Sequence, residues 1–159
     1  MDREPSVGQS ERATGYPDEA TAACTLIAAS CTTGWFDWIH GELWLCPGGL
    51  LRRSLGLWAT VRHGDMRGAK PTVGTQNRPT RSFTPDEVRR IVESDRRNRW
   101  IRWEDISHAT LKGGLVDHSL HFELKDGPRR KFLWLRMDGG LDLLRAALAR
   151  ALGSLHVTG

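Results

Sequence analysis

The chain has 159 residues, 39% of them hydrophobic with seven Trp, enough for one domain with a genuine core and a tail. Its 23 basic and 19 acidic residues leave a formal charge of +4, a mild bias that many soluble proteins share. No uncharged apolar run has the roughly 18–20 residues of a membrane span, since the longest uncharged stretch, Ala20 to Phe36, is diluted by Thr, Ser, Cys and Gly.

Residues 1–19 are polar, hold Pro and Gly, and are expected as a disordered tail ahead of a domain over 20–153. Met1-Asp2-Arg3-Glu4-Pro5 is too acidic and polar to open a secretory signal. Leu26 to Cys31 reads as a first strand, although its Ala content also suits a helix. Cys24, Cys31 and Cys46 are odd in number and unevenly spaced. That fits free thiols in a reducing compartment better than a disulfide framework, so a cytoplasmic protein is expected.

Gly34 to Gly41 is bracketed by glycines and reads as a loop or hairpin tip carrying Trp35, Phe36, Trp38 and Ile39. Glu42 to Cys46 alternates, Pro47-Gly48-Gly49 turns the chain, and Leu50 to Leu55 answers as the partner strand. Arg52 and Arg53 are adjacent on that strand and therefore point to opposite faces. Residues 59–83 are rich in Gly, Pro and Arg and read as a long loop or insertion, with Thr60-Val61-Arg62 a candidate short strand.

A short helix near 84–96 has a clear start. Thr84 is the N-cap, Pro85 the first helical residue, and Glu87 completes a capping box. Phe83 and Val88 are placed for a hydrophobic staple, and Val88, Ile91 and Val92 form the buried stripe.

From Arg99 to Gly153 the pattern predicts three antiparallel strands and one amphipathic helix. Leu120, Phe122 and Leu124 alternate with polar residues before the turn at Asp126-Gly127. After it, Phe132 and Trp134 lie on one face, with Leu133, Leu135 and Met137 on the other, as in a strand buried on both sides. Leu141, Leu144, Leu148 and Leu152 then recur at helical spacing, with Asp138 and Asp142 early and Arg145 and Arg150 late, as the helix dipole prefers. The last residues, 154–159, are expected as a tail.

Two motifs carry a family resemblance. Gly41-Glu42-Leu43-Trp44-Leu45-Cys46-Pro47-Gly48-Gly49-Leu50-Leu51 is similar to the strand pair of GRAM-type domains. Ile101-Arg102-Trp103-Glu104-Asp105-Ile106 is similar to the segment that opens the second half of such sheets. The chain from about residue 24 to 153 thus resembles the pleckstrin-homology-like (PH-like) superfold, and within it the bacterial PH-like and GRAM-type domains. The resemblance implies an α+β, mainly β fold. Its core would be a bent antiparallel sheet or partly open barrel of about seven strands, capped by the C-terminal helix.

The resemblance also implies a non-catalytic binding or adaptor module for a protein partner or an anionic membrane surface. Phosphoinositide-binding members carry several Lys or Arg around the first hairpin loop. Here Thr32 to Gly41 has none, which argues against phosphoinositide recognition. What the loop offers is aromatic: Trp35, Phe36 and Trp38 either cover the sheet edge as core, the first reading, or form a contact surface.

Arg62, Arg67, Lys70, Arg78 and Arg81 of the insertion are candidate binding cations. With the Arg89 to Arg102 stretch they could make a positive surface for anionic lipid or nucleic acid. Glu93, Asp95, Glu104 and Asp105 neutralise part of that stretch and no RNA-type aromatic spacing accompanies it, so nucleic acid ranks second. Arg129-Arg130-Lys131 reads as a solubilising start to a strand.

Catalytic and metal patterns are poor. His118 and His121 are three apart and fall on opposite faces of a strand, and His40 with Cys31 and Cys46 lacks any C-x-x-C pairing. His63-Gly64-Asp65 lies in the long loop, and there is no nucleophile elbow, P-loop or G-x-G-x-x-G. No cofactor is expected, and an enzyme of unrecognised type is the third reading. Strand edges of such a fold leave a homo-oligomer open.

Overall fold

The computed structural model describes residues 22–34, 39–56, 78–153 and 156–158. Its first sheet runs in the order β4-β1-β2-β3-β5, with β1 Ala22–Cys31, β2 Gly41–Cys46, β3 Gly49–Ser54, β4 Thr80–Phe83 and β5 Arg99–Arg102. The second runs β8-β7-β6-β9, with β6 Ile106–Gly113, β7 Asp117–Leu124, β8 Arg130–Leu135 and β9 His156–Thr158. All pairings are antiparallel except β6 with β9. Helix α1 spans Pro85–Ser94 and helix α2 spans Leu141–Leu152.

Turn chemistry sets the β2–β3 hairpin. Pro47-Gly48 reverses the chain so that Cys46 faces Gly49 and Leu43 faces Arg52. A Cβ on Gly49 would lie 2.1 Å from the Ile101 carbonyl oxygen, so only glycine lets β5 approach β3 there.

The main core lies between the two sheets. Ile27, Leu43, Leu50 and Ile101 of the first sheet meet Leu120, Phe122, Phe132 and Trp134 of the second, and Leu144 and Leu148 of α2 close the cluster. Burying each such leucine contributes about 1.5–3 kcal/mol. The approach of α2 is close: Gly140, just before it, has φ +78°, and a Cβ there would meet Ile27 Cγ2 at 2.6 Å. Asp138 anchors the same corner by accepting bonds from the Ala29 and Ser30 amides at 3.1 and 3.0 Å.

Helix α1 covers the opposite face of the first sheet, packing Val88 against Trp44, Leu51 and Phe83. The capping box is present: the Glu87 amide donates to Thr84 Oγ1 at 3.2 Å and the Thr84 amide donates to Glu87 at 2.9 Å. Phe83 and Val88 are both buried in one cluster, as the staple requires.

Several expectations are corrected. Cys24 and Cys46 form a disulfide rather than free thiols, and Cys31 stands outside it as a buried thiol. The cause is register: Thr25 faces Leu45, which sets Cys24 directly across from Cys46 with Cα atoms 4.3 Å apart. The strands form two sheets, of five and four strands among the described residues, rather than one bent sheet or partly open barrel of about seven. Thr80–Phe83, assigned to the long loop, pair with β1, and His156–Thr158, assigned to the tail, pair with β6. The strand of β8 stops at Leu135, where a 3-10 turn over Arg136–Asp138 leaves Leu135 and Met137 exposed instead of buried.

Candidate anion-binding cleft

One end of the space between the sheets is open and basic. A cleft of about 790 Å³ runs from β5 across to the β7–β8 turn. Arg96, Arg97 and Arg99 line it from the α1–β5 connection, and Arg129, Arg130 and Lys131 from the facing turn, with His121 between them. Ile101, Phe122 and Phe132 form its apolar wall, and Thr33 and Gly34 stand at the rim. Among the described residues, no Asp or Glu lines it.

The first basic segment is held by main-chain and amide bonds. Asp95, at the end of α1, accepts from the Arg97 amide at 2.8 Å. The buried Asn98 carboxamide receives the Ser54 amide and donates to the Ile91 carbonyl and, at 3.2 Å, to Ser94 Oγ. Beneath the cleft Arg52 is fully buried. It donates to the main-chain oxygens of Arg97 at 2.7 Å, Ile39 at 3.1 Å and Cys31 at 3.4 Å. A buried guanidinium that spends its donors on carbonyls ties three chain segments together.

Like charges converge here. Arg52 and Arg99 are cross-strand partners, and Arg99 faces Arg130 across the cleft. Burial first, then the charges of Arg130 and Arg52, lower the proton affinity of Arg99, against a smaller opposing effect of Asp95. Asp95 is itself held below the usual carboxylate range, chiefly by the Arg97 amide. Arg97 pairs with Asp95 at 3.6 Å and Arg129 with Glu123 at 2.6 Å. Among the described residues no carboxylate pairs with Arg96, Arg99, Arg130 or Lys131. His121 is shifted below its ordinary pKa by burial, then by Lys131 and Lys112. An anion with two or more acceptor oxygens would relieve this repulsion through charge-assisted bonds.

The candidates read from the sequence are distributed differently. Trp35, Phe36, Trp38, Arg62, Arg67 and Lys70 lie outside the described residues. Arg78 is a structural clamp: it donates to the carbonyls of Leu26, Ile27 and Asp138 at 3.1, 2.8 and 2.8 Å. Arg81 lies over the Phe83 ring at 4.7 Å and pairs with Glu87 at 3.5 Å. Neither lines the cleft. The Arg89 to Arg102 stretch divides, because Arg89 pairs with Asp86 and Arg102 with Glu104 and Asp105, leaving Arg96, Arg97 and Arg99 at the cleft.

Sequence reading missed Arg129, Arg130, Lys131 and His121 as partners of that stretch. The one local signal was Arg52, a cation on the strand face shared with Leu50. Among the described residues there is no group of three or more His, Cys, Asp or Glu suited to a metal ion, and no helix long and apolar enough to cross a membrane. No family model matches the chain, and no curated protein matches it.

Proposed function

We propose that this chain is a non-catalytic, PH-like adaptor module whose basic cleft receives an acidic segment of a protein partner. The observation that carries the reading is that Arg96, Arg97, Arg99, Arg129, Arg130 and Lys131 line one cleft to which the described residues contribute no carboxylate. The PH-like assignment is supported by strand order. The meander β1-β2-β3-β5, the three-stranded β6-β7-β8 unit and the terminal helix follow the order expected from the motifs.

An extended segment suits the cleft because β5 is an edge strand of its sheet. The Trp103 amide donates to the Gly48 carbonyl, which fixes the alternation of the ladder. Ile101 then bonds toward β3, while the main-chain groups of Trp100 face the open side, where a partner strand could pair. Cytoplasmic placement rested on free thiols; with Cys24 joined to Cys46, an oxidising compartment suits the chain better.

Binding of a fluorescent glutamate-rich peptide, followed by anisotropy at two salt concentrations, tests the reading. We expect salt-sensitive binding that R99Q/R130Q weakens at least tenfold. Tighter binding to a single-stranded oligonucleotide or to anionic vesicles through the same arginines would replace the protein partner with that ligand. Salt-independent binding would remove the cleft from consideration.

A further inference from the structure

Five large apolar side chains are exposed among the described residues, and four of them, Leu115, Val116, Leu135 and Met137, flank the end of β7 that lies away from the cleft. Leu115 and Val116, 89% and 73% exposed, form the tip between β6 and β7. Leu135 and Met137, the latter 54% exposed, follow the end of β8, and Leu143 lies in the first turn of α2. Strand β7 separates the two ends, with Asp117 at the apolar one and Phe122 and Leu124 at the cleft.

The patch is built from three chain segments. Asp117 pairs with Leu135, and the Arg136 amide donates to the Val116 carbonyl at 2.9 Å. A Cβ on Gly113 would meet Leu141 Cδ2 at 3.1 Å, so the start of α2 lies against the same hairpin. Scattered exposed apolar residues need no explanation, whereas four on two adjoining segments do.

We infer that this end inserts into the interfacial layer of a bilayer containing anionic lipid. Two features select lipid over a protein groove. Leu115 and Val116 are consecutive at a tip and nearly free on all sides, so a groove fitting one leaves the other in water, while a fluid phase surrounds both. Cations border the tip: Arg136 is exposed, lies beside Val116, and has no carboxylate partner among the described residues. Lys112 is exposed on the neighbouring strand, and Arg145 stands near, paired with Asp142. Asp117 lies beside them, and Asp138, which follows Met137, is taken up by the Ala29 and Ser30 amides and the Ser30 hydroxyl. An apolar tip bordered by cations sits with its carbons below the headgroups and its charges among anionic phosphates. This surface is independent of the cleft, so the protein can hold a membrane at one end and a partner at the other.

Cosedimentation of the full chain with phosphatidylcholine vesicles, with and without phosphatidylglycerol, tests the inference. Wild type should partition onto the anionic vesicles. L115S/V116S should lower that partition at least tenfold, and R136Q severalfold on anionic vesicles only, both with unchanged circular dichroism and unchanged binding of the acidic peptide. Absence of vesicle binding by wild type would overturn the inference. So would binding that survives L115S/V116S but is lost in R99Q/R130Q, which would move the membrane contact to the cleft. A dimer in solution that L115S/V116S dissociates, without vesicle binding, would reassign the patch to self-association.

Discussion

Arg52 donates to the main-chain oxygen of Arg97 at 2.7 Å, and through that bond a buried strand residue holds the loop that carries half of the cleft's charge. The end of β3, β4 and α1 lie between the two residues in sequence. Their contact makes the mouth of the sheet pair both rigid and cationic.

Replacing Arg52 by Met removes its guanidinium donors from the carbonyls of Cys31, Ile39 and Arg97. Unpaired buried acceptors cost about 1–3 kcal/mol each, offset by the relief of a buried charge. We expect a net loss of about 2–4 kcal/mol, read from urea unfolding, together with weaker peptide binding. Unchanged stability would mean that water replaces the guanidinium without cost.

Arg130 should behave in the opposite way. It is exposed and stands close enough to Arg99 to lower that group's proton affinity. R130Q is therefore expected to leave the melting temperature unchanged or raise it slightly at low salt, while reducing acidic-peptide affinity. A clear drop in melting temperature would show Arg130 to be a packing residue instead.

The Cys24–Cys46 bond closes a sequence separation of 22 residues. Constraint of the unfolded chain over such a loop amounts to about 3 kcal/mol. Adding reductant, or making C24S/C46S, should lower the denaturation midpoint accordingly without altering the circular dichroism of the folded state. Equal midpoints with and without reductant would contradict this.

His118 packs edge-on against Trp134, and its Nδ1 has no hydrogen-bond partner among the described residues. Burial, then the Arg136 charge, lower its pKa from the ordinary value of 6.5. The unfolded chain therefore binds a proton more readily than the folded one. Stability should be full above about pH 6.5 and fall as the pH drops below it, levelling off only beneath the lowered folded pKa. His121 is shifted in the same direction and adds the same sign. Melting temperatures between pH 8 and 5.5 should decline in wild type and flatten in H118F/H121N; an equal slope in both would exclude the histidines as the cause.

Elements whose information is local were legible from the chain. The capping box at Thr84 and Glu87, the glycine turn after Pro47 and the leucine stripe of α2 each depend on residues within a few positions of one another. Backbone sterics and periodic burial act over that range, so the pattern and the structure agree. The end of β8 was misread because alternation alone does not say where a strand stops: the 3-10 turn at Arg136–Asp138 breaks a pattern that Leu135 and Met137 seem to continue.

The amino-acid order by itself therefore determined the helices, the central hairpins and an apolar face on each. Tertiary structure alone decided that Cys24 meets Cys46, that Arg78 clamps a corner, and that Arg99 faces Arg130. Those relations depend on strand register and on how two sheets are set against each other. Both are fixed by the summed packing of many distant side chains, such as Ile27, Leu43, Phe122 and Leu144 within one core, which no local spacing encodes.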